Sequence, residues 1–227
     1  MKNTYYILAG LGLLLYLFAL SACNTTRIVK PLAQKEIAVG LDFGGPIIDF
    51  QALKIPVPFT SITGAYGVDS SLTVYGALHL TSAVFGTIQW DIGVLKGLLK
   101  PQKGYIPGIS IGASTQMMVD VFEGNFRLYP VVDVNFYWKY LKKKEHYFYF
   151  NYGSWFDFWQ QAHQQPNVKV YYPSFSVGHT FENKKMRYTI EAKYIDPGSS
   201  NLGNPVHFNG IGGQGSWGAY ISIFRKF

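Results

Sequence analysis

Five histidines are the side chains in this sequence best suited to moving protons: His79, His146, His163, His179 and His207. Such chemistry needs a nucleophile or an activated water within hydrogen-bond reach of the ring, and an acid to orient it. The sequence offers only loose associations. His79 and Thr81 share a face if one strand runs through both, and His163 and His207 share a rim with Asp120, Asp157 and Asp196. No spacing among them is one that metal ligation or nucleophilic catalysis demands. No catalytic residue, metal ligand or cofactor is therefore assigned. Gly210-Ile211-Gly212-Gly213-Gln214-Gly215 spells G-x-G-x-x-G. The nucleotide motif, however, needs a helix after it so that phosphate meets a helix N-terminus. Here an alternating segment follows, and the hexapeptide reads as a flexible loop. Cys23 is the single cysteine, which excludes disulfides within the chain and cysteine-based zinc sites.

The elements that must position these groups are strands. Charged residues make up 15% of the 227 residues and aromatic ones 17%, against about 25% charged in ordinary soluble domains. Mean hydropathy is only +0.05, far from that of a helical membrane protein. Along Phe126 to Tyr140, Arg127, Tyr129, Asp133, Asn135 and Lys139 fall on one face, and Leu128, Val132, Val134, Phe136, Trp138 and Tyr140 on the other. Segments 110–120 and 187–194 alternate in the same way. Period two puts one face against something apolar and the other against something wet. The pattern predicts strands at 36–44, 59–67, 71–80, 86–96, 108–121, 126–140, 146–157, 168–181, 186–195 and 216–227. Each is near the roughly 9–11 residues that cross a bilayer at a tilt.

The fold expected is an all-β, transmembrane, antiparallel up-and-down barrel of about ten strands, with eight to twelve compatible with these spacings. On its wet face lie Asp42, Asp91, Arg127, Asp133, Arg187 and Glu191. These charges are few and of mixed sign, which suits a narrow lumen where they pair. A soluble barrel would need a fully charged exterior instead. The net charge of +7 comes largely from clusters at strand ends, such as Lys142 to Lys144, Lys184 with Lys185, and Arg225 with Lys226. Solvated turns and interfacial anchors explain that distribution, and a nucleic-acid partner is not expected.

Met1 to Thr4 carries Lys2, Tyr5 to Leu20 is almost wholly apolar, and Leu20-Ser21-Ala22-Cys23 closes the segment. This is the arrangement of a secretory signal. Leu-Ser-Ala-Cys resembles the bacterial lipobox, which implies cleavage before Cys23 and its acylation, palmitate included. The expected organisation is a lipoprotein signal peptide at 1–22, a lipidated N-terminus and polar tether at 23–35, and the barrel at 36–227. Several acyl chains hold a protein in a membrane where one does not. Asn24, beside the cysteine, is compatible with sorting to the outer membrane.

Ser216-Trp217-Gly218-Ala219-Tyr220-Ile221-Ser222-Ile223, followed by a terminal Phe227, resembles the closing strand of bacterial outer-membrane barrels. That resemblance implies that Gly218, Ile221, Ile223 and Phe227 form the signal read by the barrel-assembly machinery. It also implies an outer-membrane location, with membrane lipid and the lipoprotein-sorting machinery as partners. A lipid-anchored lipocalin-like carrier is the rival, since Gly153-Ser154-Trp155 spells that family's Gly-x-Trp, but late in the chain. Some outer-membrane barrels are rim enzymes acting on lipid A or peptides, yet none of their motifs is complete here. The function expected is a structural or surface-binding role through outward loops 45–58, 158–167 and 196–215, with the ligand unidentified. The alternatives are a narrow channel for small polar solutes and a rim enzyme.

Overall fold

The computed structural model describes residues 28–50, 53–102, 106–140, 145–159, 161–162, 165–166, 169–201 and 207–227. In chain order the elements are β1 (Ile37–Phe50), β2 (Leu53–Pro56), β3 (Thr60–Gly67), β4 (Leu72–His79), α1 (Leu80–Val84), β5 (Thr87–Leu99) and β6 (Gly108–Asp120). There follow β7 (Phe126–Lys139), β8 (Tyr147–Phe156), β9 (Gln161–Ala162), β10 (Gln165–Pro166), β11 (Tyr171–Glu182), β12 (Met186–Ser200) and β13 (Gln214–Lys226). Ten of these strands form one antiparallel sheet in the order β1-β3-β4-β5-β6-β7-β8-β11-β12-β13. β13 returns to pair with β1 from Ala38↔Lys226 to Pro46↔Gly218, which closes the barrel. Closure leaves the wall without an edge, so every strand finds two neighbours. All ten predicted strands are present, within about three residues of their expected bounds except that β1 and β12 run on to Phe50 and Ser200 rather than ending at 44 and 195.

The two faces are the reverse of a soluble barrel's. Outward-pointing Ile92 and Ile190 are 59% and 58% exposed, while inward-pointing Thr63 and Asn135 are both at 0%. Polar side chains fill the interior, and an apolar wall faces out. A contiguous apolar surface of this extent belongs against lipid or a partner. This overturns the lipocalin-like alternative, which requires an apolar interior. Aromatic side chains gather on the outside near the chain-terminus end: Trp138 stacks on Phe148 at 5.2 Å, and Tyr140 donates to or accepts from His179 at 2.7 Å. Rings with one polar tip suit the membrane–water boundary.

The lumen is filled by tyrosines laid over glycines on the next strand. A Cβ on Gly178 would stand 2.3 Å from Tyr149 Cζ, and one on Gly108 the same distance from Tyr137 Cζ. A side chain at either glycine would displace a ring from a packed bore.

Several connections are more ordered than a sequence pattern reveals. The segment 45–58, expected to face outward, is a hairpin, because β1 runs on to Phe50 and pairs with β2 from Ile47↔Pro56 to Phe50↔Leu53. It is held to the 196–215 connection by Asn209 N–H donating to Ile47 O and by a bridge between Ile48 and Phe208. His79 ends its strand, and α1 begins at Leu80. Thr81 consequently leaves the lumen face expected of it and caps β3, accepting from Thr60 N and donating to Pro58 O.

The largest departure is at the start. Residues 28–35, expected to be the end of a solvated polar tether, are folded into the barrel mouth. Ile28 and Leu32 are buried against Ala38, Ala65, Leu95 and Phe224, and Val29 against Tyr137, Tyr147 and Tyr149. Leu32 N–H donates to Thr73 Oγ1, and Ser110 Oγ donates to Val29 O. The physical reason is that three apolar side chains find inward-facing partners on opposite walls of the mouth, so burial outweighs solvation. The segment is a plug across the end that holds both ends of the wall.

Candidate functional site

The lumen has three levels. At the chain-terminus end the plug is tied down by charge. Glu182, buried at the end of β11, receives Lys30 Nζ at 2.9 Å, Lys226 Nζ at 2.7 Å and Arg187 at 3.2 Å. Lys30 also reaches Glu145 at 2.9 Å, and Lys139 bonds the same carboxylate. The hydrogen bond from Lys139 and the nearby charge of Lys30 hold the Glu145 carboxyl below the ordinary glutamate range against its partial burial. Burial opposes the charge on Lys30, but Glu182 and Glu145 overcome it, and the amine titrates above its usual value. Arg187 thus belongs to a buried ion cluster that the sequence pattern had placed on the lumen face without naming its partner.

At mid-height the charges are neutralised or hydrogen-bonded one by one. Thr63 Oγ1 donates to Asp42 at 2.6 Å, and Tyr149 OH to Glu191 at 2.6 Å. Lys193 stands 3.5 Å from Glu191. Asn135 Nδ2 donates to Asp133 at 2.8 Å, Asn151 Nδ2 donates to Asn135 Oδ1 at 2.9 Å, and Ser176 Oγ donates to Asn151 Oδ1 at 3.1 Å. This chain crosses β7, β8 and β11 and leaves Asn135, Asn151 and Ser176 almost without solvent contact, with Asp133 half-buried. A network whose members are all satisfied is rigid and excludes water.

At the level away from the chain termini, His79 Nε2 lies 3.0 Å from Asp91 Oδ2, both buried. The sequence pattern placed both residues inward but did not pair them. The β4–β5 register, with Ala77 opposite Asp91 and His79 opposite Gln89, sets them diagonally within reach. Farther round, Tyr129, Trp155 and Tyr172 form an inward-facing aromatic series, with ring centroids at 4.7 and 5.0 Å. Arg127 lies on the same inward face, two residues before Tyr129 on β7. Lys169 bonds Asp196 and Ser199 and lies 5.2 Å over the Tyr172 ring.

The structure therefore places Asp42, Asp91, Arg127, Asp133, Arg187 and Glu191 on the inward face. It does not gather the rim histidines into a site. His207 is exposed, and its backbone oxygen accepts from Asp49 N. Asp157 is buried and accepts from Trp159 N. His146 accepts from Glu182 N through Nδ1, at the opposite end. His163 and Cys23 lie outside the described residues. Among the described residues, no group of three or more histidine, cysteine, aspartate or glutamate side chains is placed to hold a metal ion. Gly210 to Gly215 forms a turn, with Gly212, Gly213 and Gly215 at positive φ, and leads into β13. On that last strand Gly218 points inward, whereas Ile221 and Ile223 point to the outer wall beside Arg225 and Phe227.

No protein-family model and no curated protein sequence matches this chain. Solved structures do. The translocator domain of the autotransporter NalP from Neisseria meningitidis is similar over all of this chain and 97% of its own, at 9% identity and a TM-score of 0.44. The NanC porin is similar over 83% of this chain and 98% of its own, at 12% identity and a TM-score of 0.43. The outer membrane protein OprG from Pseudomonas aeruginosa is similar over 88% and 99%, at 11% identity and a TM-score of 0.33.

Proposed function

We propose that this chain is an integral bacterial outer-membrane barrel with a structural or surface-binding role, which does not conduct. The observation that carries the reading is the filled lumen. Thr63, Ser110 and Asn135, on inward faces of three different strands, have no solvent contact, and the plug lies across one mouth. The apolar outer wall with its aromatic belt supports placement in a membrane. The terminal resemblance to outer-membrane barrels supports which membrane it is. Binding would fall to the outward connections, where the β1–β2 hairpin and the 196–215 segment brace one another.

The same reading includes acylation at Cys23, delivery by the lipoprotein-sorting machinery, and recognition of Gly218, Ile221, Ile223 and Phe227 by the assembly machinery. Ile28 sits in the mouth, and five residues span at most about 17 Å, enough for a lipid on Cys23 to reach the adjoining leaflet. Conductance in planar bilayers is the test of the sealed lumen. The purified full chain is expected to be silent, and steady single-channel steps would overturn the assignment. Intact-mass measurement tests the anchor separately: the acyl mass should vanish in Cys23→Ser.

A further inference from the structure

The acids at the chain-terminus end are occupied by the ion cluster within it. Glu182 and Glu36 both take Lys226, at 2.7 and 3.3 Å, and Glu145 takes Lys30 and Lys139. Outside that cluster Lys35, Lys184, Lys185 and Arg225 stand exposed, and among the described residues none of the four has an acidic partner. Three of them are neighbours. Arg225 lies opposite Met186 across β12 and β13, and Lys226 N–H donates to Lys185 O. The Lys184–Lys185 turn therefore abuts the end of β13. Arg225 points to the outer wall, its guanidinium 5.1 Å from the centre of the Phe227 ring. From there the wall runs apolar toward the other end. Ile223 and Ile221 on β13 are flanked by Tyr188 and Ile190 on β12 and by Leu41 on β1, all between 41% and 58% exposed.

We propose that this patch holds an anionic phospholipid, with the headgroup on Arg225, Lys184 and Lys185 and the acyl chains along the apolar wall. A guanidinium meets two phosphate oxygens at once, and the two ammonium groups add point charges beside it. Cationic groups joined to an apolar strip match the two halves of one lipid molecule. An acidic protein surface would answer the cations but leave the adjoining strip uncovered. A zwitterionic lipid carries its own cation, so it gains less from three unpaired ones. Phe227, with its ring against the guanidinium, sits where the charged end gives way to the apolar wall. The site rests on the membrane placement proposed above and adds to it a choice among lipids.

Native mass spectrometry of the full chain released from micelles tests it. The probes are dimyristoyl phosphatidylglycerol, dimyristoyl phosphatidylcholine, glycerol 3-phosphate and hexaglutamate. Phosphatidylglycerol should be retained at least about fivefold more tightly than phosphatidylcholine, the effect of one unpaired cation near a headgroup. Arg225→Gln, and Lys184→Gln combined with Lys185→Gln, should each reduce that preference about fivefold or abolish it, with phosphatidylcholine retained as before. Arg225→Lys should keep most of it. Equal retention of the two lipids overturns the proposal, as does a preference unchanged in both sets of variants. Glycerol 3-phosphate held as tightly as the lipid overturns it too, since the acyl chains would then count for nothing. Hexaglutamate held as tightly would assign the patch to an acidic protein instead. The wild-type comparison alone decides if a variant does not fold. Insertion into phosphatidylcholine vesicles tests the membrane placement by itself. A chain that inserts there without preferring phosphatidylglycerol loses only this site, and a chain that enters no vesicle loses both.

Discussion

Glu182 faces three cations in a place where water hardly reaches. A buried carboxylate in this setting stabilises only as long as its partners stay, and the partners are equally dependent on it. Replacing it with leucine leaves Lys30, Arg187 and Lys226 together without their shared acid. Glu182→Leu should therefore lower stability by roughly 3–5 kcal/mol, read as the shift of the urea unfolding midpoint in micelles. A midpoint within experimental error of the parent would show that the cluster is solvated and of little consequence. Gly178 makes a second case at this scale. A side chain there would meet the Tyr149 ring, which also donates to Glu191. Gly178→Leu should cost about 1–3 kcal/mol through overpacking, whereas Gly64→Ala, where a Cβ meets nothing within 4 Å, should be close to neutral in the same assay.

The plug is an element whose hold depends on pH, and the direction follows from its two perturbed groups. Glu145 titrates below the ordinary value of about 4.3 in the folded chain. Its contribution is present above that ordinary value and is lost as the pH falls through the depressed one. Lys30 titrates above its ordinary value. Its share is complete below that ordinary value and is lost only as the pH rises through the raised one. Hydrogen exchange of amides in 28–35 should thus stay slow through neutral pH. After allowance for the intrinsic pH dependence of exchange, it should lose protection first on acidification. Lys30→Met should reduce that protection at neutral pH, and equal protection in the variant would show that apolar burial alone seats the segment. This element was also the hardest to read in the sequence. Period two is visible because each strand repeats it over many residues, so β6 and β7 were legible almost to their ends. Ile28, Val29 and Leu32 are too few to make a pattern, and their partners Leu95, Tyr137 and Phe224 are distant in the chain. The His79–Asp91 pair was half legible: parity put both inward, but only the pairing register tells which diagonal neighbours meet.

At the scale of the whole molecule, alternation told a wet face from an apolar one without saying how full the wet side would be. Fullness depends on which tyrosine lies over which glycine, and that is a property of register between strands. The end away from the chain termini carries its own prediction. The β1–β2 hairpin and the 196–215 segment are tied by Asn209, which accepts from Lys54 Nζ and from Trp217 N and donates to Ile47 O. Asn209→Ala removes the side-chain tie and keeps the backbone ones. Limited proteolysis should then cut 45–58 or 196–215 several times faster while the barrel strands stay protected. Unchanged cutting would mean that the hairpin is held by the Ile48, Val57, Phe59 and Phe208 cluster instead.

The seat of the plug also imposes an order in time. Ile28 and Leu32 rest on Phe224 of the last strand as well as on β1, β3 and β5. Their seat does not exist until β13 has joined β1. The first part of this segment to leave the ribosome is thus among the last to settle. Until the seam closes, three apolar side chains must wait unsheltered at the mouth of an unfinished wall.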